Sequence, residues 1–247
     1  MQKKIKNIII NIVLQAFLII ILIFAGCCNE NLVSSEENLR YTIGEALISD
    51  DFSGNLSQWS IEGAMPQIVD GGMELNTPAF SAAWLKPSLM GNVLIEFDVT
   101  VIASNDSEGS AGSFGCFAMA TDPANLNKFF AAGKERAGNL SKYKNNLTLY
   151  YIELDCNKKK SLKILRCSDG KQELISKSAN SSYKKASGGK YHFKLLFFEK
   201  TIELYLNDSR LFRYEDSQPY TKGNFGLTAS ASRIVIDNFV ITHLLRP

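Results

Sequence analysis

Strict alternation of side chains decides the fold class of this chain. Val93, Ile95, Phe97, Val99 and Val101 alternate with Leu94, Glu96, Asp98 and Thr100, a period of two that gives an extended strand one buried face and excludes an amphipathic helix there. Similar short runs recur at 83–86, 114–120, 147–155, 161–167, 172–177, 191–199, 202–207, 210–214, 224–229 and 233–242. Turn formers punctuate them: Asp70-Gly71-Gly72, Asp169-Gly170, Ser187-Gly188-Gly189, Asn207-Asp208 and Lys222-Gly223. Many short strands with almost no helical periodicity predict an all-β chain, an antiparallel β-sandwich of jelly-roll type.

The first residues obey a different rule. Lys3, Lys4 and Lys6 precede an apolar run from Ile8 to Ala25, which ends in Phe24-Ala25-Gly26-Cys27. A positive start, an apolar middle and small residues before a break describe a secretory signal. The last four residues resemble a bacterial lipobox, which implies cleavage before Cys27 and lipidation of that cysteine. An uncleaved membrane anchor is the alternative, since about 18 apolar residues could just span a bilayer. Both place the body outside the cytoplasm, with the envelope membrane as a partner through the anchor. The resemblance implies an outer-membrane lipoprotein facing the periplasm or the surface. The polar stretch that follows reads as a tether, so the expected organisation is a signal over 1–26, attachment cysteine and tether over 27–44, and a jelly-roll domain over 45–247.

Charge argues against one class of partner. The formal net charge is +2, and loss of the three leader lysines takes it slightly negative. No basic face stands out to neutralise a phosphate backbone, so nucleic acid is not expected as a partner. Of five cysteines, Cys27 is assigned to lipid, leaving Cys28, Cys116, Cys156 and Cys167 in a compartment that permits disulfides. Cys156 and Cys167 flank a predicted hairpin whose turn sets Cys156 opposite a residue near Ser161; a direct bridge between the two cysteines is left open.

One stretch breaks the strand rhythm. About 25 residues separate the strand ending near Thr121 from the one starting at Leu147, far above ordinary loop length. Asp122-Pro123 can cap and start a short helix there. Phe129, Phe130, Lys134, Arg136, Lys142, Tyr143 and Lys144 follow, an aromatic and basic set that makes this excursion the first place to look for a ligand.

The closing strands, Tyr191 to Phe198, Ile202 to Asp208, Gly223-Asn224-Phe225-Gly226-Leu227 and Ile236-Asp237-Asn238-Phe239, resemble those of concanavalin A-like lectin and glucanase domains. Asp51-Phe52 with Trp59, and Asp70 to Leu75, fit the same architecture. Phe117 to Pro123, Arg136 with Gly138, Tyr143, Leu149-Tyr150-Tyr151 and Pro219-Tyr220-Thr221 are similar in order to uncharacterised domains of polysaccharide-utilising bacteria, related to rhamnogalacturonan utilisation. Asn157 and Arg166 stand where that family has a turn asparagine and an Arg-rich strand; its glycines and threonines are not present. The resemblance implies a lipid-anchored carbohydrate-binding or auxiliary protein whose partner is a polysaccharide or oligosaccharide.

Individual residues bear on enzyme chemistry. Glu153-Leu154-Asp155 is similar to the first half of the Glu-x-Asp-x-x-Glu strand of retaining β-glucanases, whose two carboxylates stand about 5–5.5 Å apart, but position 158 is Lys158. A lyase built on Tyr143 or Tyr151 as acid, with Arg136 or His192 neutralising a uronate, is a further alternative. A structural lipoprotein that binds an envelope protein is the third. Sugars offer apolar C–H faces and hydroxyl edges, so exposed Tyr with Asn, Asp, Arg and Lys suits a binding face. The candidate set is therefore Arg136, Tyr143, Tyr151, Glu153, Asp155, Arg166 and His192. No cofactor is expected, beyond a structural calcium held by Asp50 or Asp51 with Asp237. Trp59 and Trp84 are expected in the core.

Overall fold

Three two-residue turns show how directly the chain folds from its local signals. Asp70-Gly71 (φ 51° and 79°), Asp169-Gly170 (51° and 72°) and Asn207-Asp208 (50° and 62°) all hold both central residues at positive φ, the geometry that matches the right-handed twist of a tight hairpin. They join β3 (Gln67–Val69) to β4 (Gly72–Leu85), β9 (Ser161–Ser168) to β10 (Lys171–Ala179), and β12 (Thr201–Leu206) to β13 (Ser209–Glu215). In the computed structural model, residues 40–102, 112–156, 161–179 and 190–247 are described; the leader with Cys27, and Asn157 and Lys158, lie outside them.

The remaining strands are β1 (Thr42–Asp50), β2 (Trp59–Glu62), β5 (Leu89–Met90), β6 (Val93–Ile102), β7 (Ser113–Thr121), β8 (Thr148–Asp155), β11 (Lys190–Phe198) and β14 (Lys222–Leu245). Two short helices, α1 (Gly133–Arg136) and α2 (Leu140–Asn146), interrupt them. Hydrogen bonding runs β10-β9-β8-β7-β14-β6-β11-β12-β13, with β4 on the other side of β14. The first half of β14 pairs with β7 and the second half with β6. One strand therefore serves both layers of an antiparallel sandwich, as the alternation predicts. Residues 44–244 form one compact unit.

The change of layer falls at Ala231, where φ is 45° and the register with β4 shifts. Gly112 lies against this bulge at φ 63°, so close that a Cβ would meet the Ala231 carbonyl oxygen at 2.0 Å. Only glycine fits there.

Between the layers the inward positions interdigitate. Phe97 stacks on Phe193 with ring centroids 4.8 Å apart, and Phe225 and Phe239 lie 5.6 Å apart in the same cluster. Trp59 closes one side, its ring 5.0 Å from Phe239 and its Nε1 donating to Asp50 Oδ2 at 2.8 Å. Trp59 and Trp84 are both buried, in line with expectation.

Candidate functional site

A second core lies on the opposite face of one layer and covers part of that face. Period two puts Trp84, Phe117, Tyr151, Leu165 and Cys167 on the face turned away from the main core. Phe129 and Tyr143 from the excursion cover them, with Leu147. Tyr143 stacks on Phe117 at 5.3 Å, and Phe129 meets Trp84 edge-on at 4.9 Å. The aromatic residues of the long loop thus pack against the sheet rather than face solvent.

An ion pair buried beneath the excursion fixes it. Arg136 Nη2 donates to Glu62 Oε1 at 2.8 Å and to the Phe129 carbonyl at 2.8 Å, while Nη1 donates to Asp122 Oδ2 at 3.1 Å. Asp122 Oδ1 in turn accepts from the backbone N–H of Ala124 and Asn125, so the aspartate caps a turn as expected, although the helices begin later. All three charged side chains are at most 5% exposed. Such a triad holds because each charge has a partner.

Beyond the covered region the same sheet face opens into a cleft of about 330 Å³. Glu153 follows Tyr151 by two residues and points the same way; Asp155 follows Glu153. Across the strands, Glu153 is directly opposed to Lys163, and Lys163 to Lys177. Ser113, opposite Asp155, donates its Oγ–H to Glu153 Oε1 at 3.1 Å. Ser161 and Ser230 complete the polar wall, and the Gly112–Ala231 bulge forms one end. Burial, then the charge of Glu153 and a hydrogen bond to it, push the Tyr151 phenol well above its ordinary pKa, so Tyr151 stays neutral as the wall between plug and cleft.

Residues 75–239 match the family of domains of unknown function DUF6250. The chain belongs to that family. No curated protein matches it in sequence. The DUF6250 chain is similar in structure to a Bacillus subtilis protein of unknown function with a galectin-like fold, at TM-score 0.71 and 16% identity over 84% of this chain and 100% of the other. It is also similar to the carbohydrate-binding module CBM66 from Bacillus subtilis (TM-score 0.55, 19% identity, 77% and 99% covered). A β-glucanase of Bacillus licheniformis superposes at TM-score 0.52 with 10% identity, over 81% and 98%. These likenesses establish the concanavalin A-like sandwich.

The candidate residues of this DUF6250 domain separate into four places. Glu153 and Asp155 share the cleft. Arg136, Tyr143 and Tyr151 lie in or beneath the plug at no more than 2% exposure, so these three side chains are not the exposed contacts expected of them. Arg166 belongs to a corner on the other side of β9, where Nε donates to Asp216 Oδ2 at 3.1 Å and the guanidinium lies 4.4 Å above the Tyr220 ring. His192 stands on the outer face of β11, between Asp98 at 2.9 Å and Glu96 at 3.4 Å, and does not join the others.

Asp51 accepts from the N–H and the Oγ–H of Ser53, and Asp237 pairs with Lys190 at 3.4 Å. Their partners differ, and among the described residues no group of three or more His, Cys, Asp or Glu is arranged for a metal. No disulfide joins Cys116, Cys156 and Cys167 to one another. Cys167 pairs with Leu149, near the far end of the hairpin from Cys156, so a direct bridge is out of reach. Lys163, Lys177 and Ser113 were missed by sequence reasoning; the signal for the two lysines was their parity with Glu153 once the hairpin turns set the register.

Proposed function

We propose that this chain is a lipid-anchored, extracytoplasmic carbohydrate-binding or auxiliary protein of polysaccharide use, with its sugar site in the Glu153 cleft. The observation that carries this reading is the cleft itself: a polar recess on an otherwise plugged sheet face, walled by carboxylates, ammonium groups and serine hydroxyls. Sugar hydroxyls both donate and accept, and such a wall offers carboxylate acceptors, ammonium donors and hydroxyls that do either. Structural similarity to a carbohydrate-binding module and a β-glucanase supports the same reading. The leader ending in Phe24-Ala25-Gly26-Cys27 supports the anchor.

A second reading, glycoside hydrolysis, is favoured by one observation: Glu153 and Asp155 enter the same cleft. Incubation of the full chain with a panel of plant and host polysaccharides, followed by both retention and product analysis, separates the two. Retention without new reducing ends supports binding. Products lost on Glu153→Gln support hydrolysis, and neither retention nor products overturns both.

A further inference from the structure

Two lysines of neighbouring strands face each other in the cleft. On the outer face of the other layer, Lys190 reaches Asp98 at 3.0 Å and Lys194 reaches Asp208 at 2.8 Å. Lys163 and Lys177 sit directly opposite each other on β9 and β10, and neither side chain forms an ion pair or a hydrogen bond with a described residue. Like charges in directly opposed sheet positions destabilise the pair unless a counter-charge joins them. Glu153, opposed to Lys163 on its other side, accepts from Ser113, and Asp155 has a partner of its own. Both ammonium groups line the cleft, which has room for an anionic group beside them.

We propose that the cleft selects an anionic sugar, whose carboxylate or sulfate ester bridges Lys163 Nζ and Lys177 Nζ while Glu153 and Ser230 take ring hydroxyls. This rests on the carbohydrate-binding reading above and adds the substrate class to it. A charged oxygen held by two ammonium groups is a charge-assisted contact, shorter and stronger than a neutral one. The site is partly open to solvent, so the attraction weakens with salt.

The test is calorimetric titration of the full chain in detergent micelles with three probes: an oligogalacturonate, a sulfated galactan oligosaccharide and a neutral galactan oligosaccharide. At least one anionic probe is expected to bind about tenfold more tightly than the neutral one, and which one it is separates carboxylate from sulfate as the source. Lys163→Met and Lys177→Met should each weaken that binding by roughly tenfold, with an unchanged or raised Tm because the repulsion is relieved. Lys163→Arg should keep most of the affinity, and Lys222→Met, on a different strand, all of it. Neutral and anionic probes bound equally, or affinity unaffected by both methionine variants, would overturn the anionic site and leave sugar binding standing. Binding of none of the three overturns the proposal, while binding of a neutral polysaccharide from the wider panel would still support the broader reading.

Discussion

Arg136 reaches Glu62 across 74 residues of sequence, with Nη2 2.8 Å from Oε1 and both side chains buried. That contact turns a loop into a lid welded to the sheet. Gly133, one turn earlier, allows it: a Cβ there would fall 2.4 Å from Glu62 Oε1. Replacing Arg136 with Met leaves two buried carboxylates unpaired, and loss of about 3–5 kcal/mol is expected. Urea denaturation measures it; a loss below 1 kcal/mol would show that the plug is not held by this triad.

Tyr143 has a buried hydroxyl with no hydrogen-bond partner among the described residues. Burial and the nearby charge of Glu62 hold its phenol far above the ordinary pKa, so the group stays protonated. Tyr143→Phe should be neutral or stabilising by up to about 1 kcal/mol, and should leave glycan affinity intact. Thermal denaturation and binding of the same variant check both halves.

Asp216 gives the acid limb of stability its shape. Burial raises its pKa, but hydrogen bonds from the Tyr150 hydroxyl and the Gln218 N–H, with the charge of Arg166, outweigh burial and hold it below 3.8. A carboxylate depressed in the folded state stabilises above its unfolded pKa, about 3.9, and loses that contribution as pH falls through the folded value. Asp216→Asn should therefore be less stable than wild type at pH 7, with the gap closing toward pH 3. A gap independent of pH would contradict the assignment.

Thiol chemistry tests the hairpin register. Burial lifts the Cys167 thiol to about 11 and the Cys116 thiol higher still, and thiolate is the reactive form. In the native chain, Cys156 should alkylate first and the other two only after unfolding. Peptide mapping without reductant should find no Cys156–Cys167 link.

The strands were legible because their signals are local. Alternation in β6 and the paired turn residues at 169–170 and 207–208 fix faces and registers within a few positions. Residues 224–229 and 233–242 read as two strands but form the single β14, because the Ala231 bulge interrupts the alternation without ending the pairing. The first part of β4 was hidden because its alternation, Met73-Glu74-Leu75-Asn76, is short and is cut off by Pro78. For the site, Glu153 and Asp155 were legible from parity alone. The plug was not: an aromatic, basic loop looks the same whether it faces solvent or a sheet, and the partner that buries Arg136 lies on β2, far off in sequence.

The most direct test of the central claim compares one glycan's affinity for three forms of the full chain: wild type, Glu153→Gln and Tyr143→Phe. With the site in the cleft, Glu153→Gln should weaken binding by about tenfold or more while Tyr143→Phe matches wild type. Binding that survives Glu153→Gln but falls in Tyr143→Phe would place the ligand under the excursion and contradict this account.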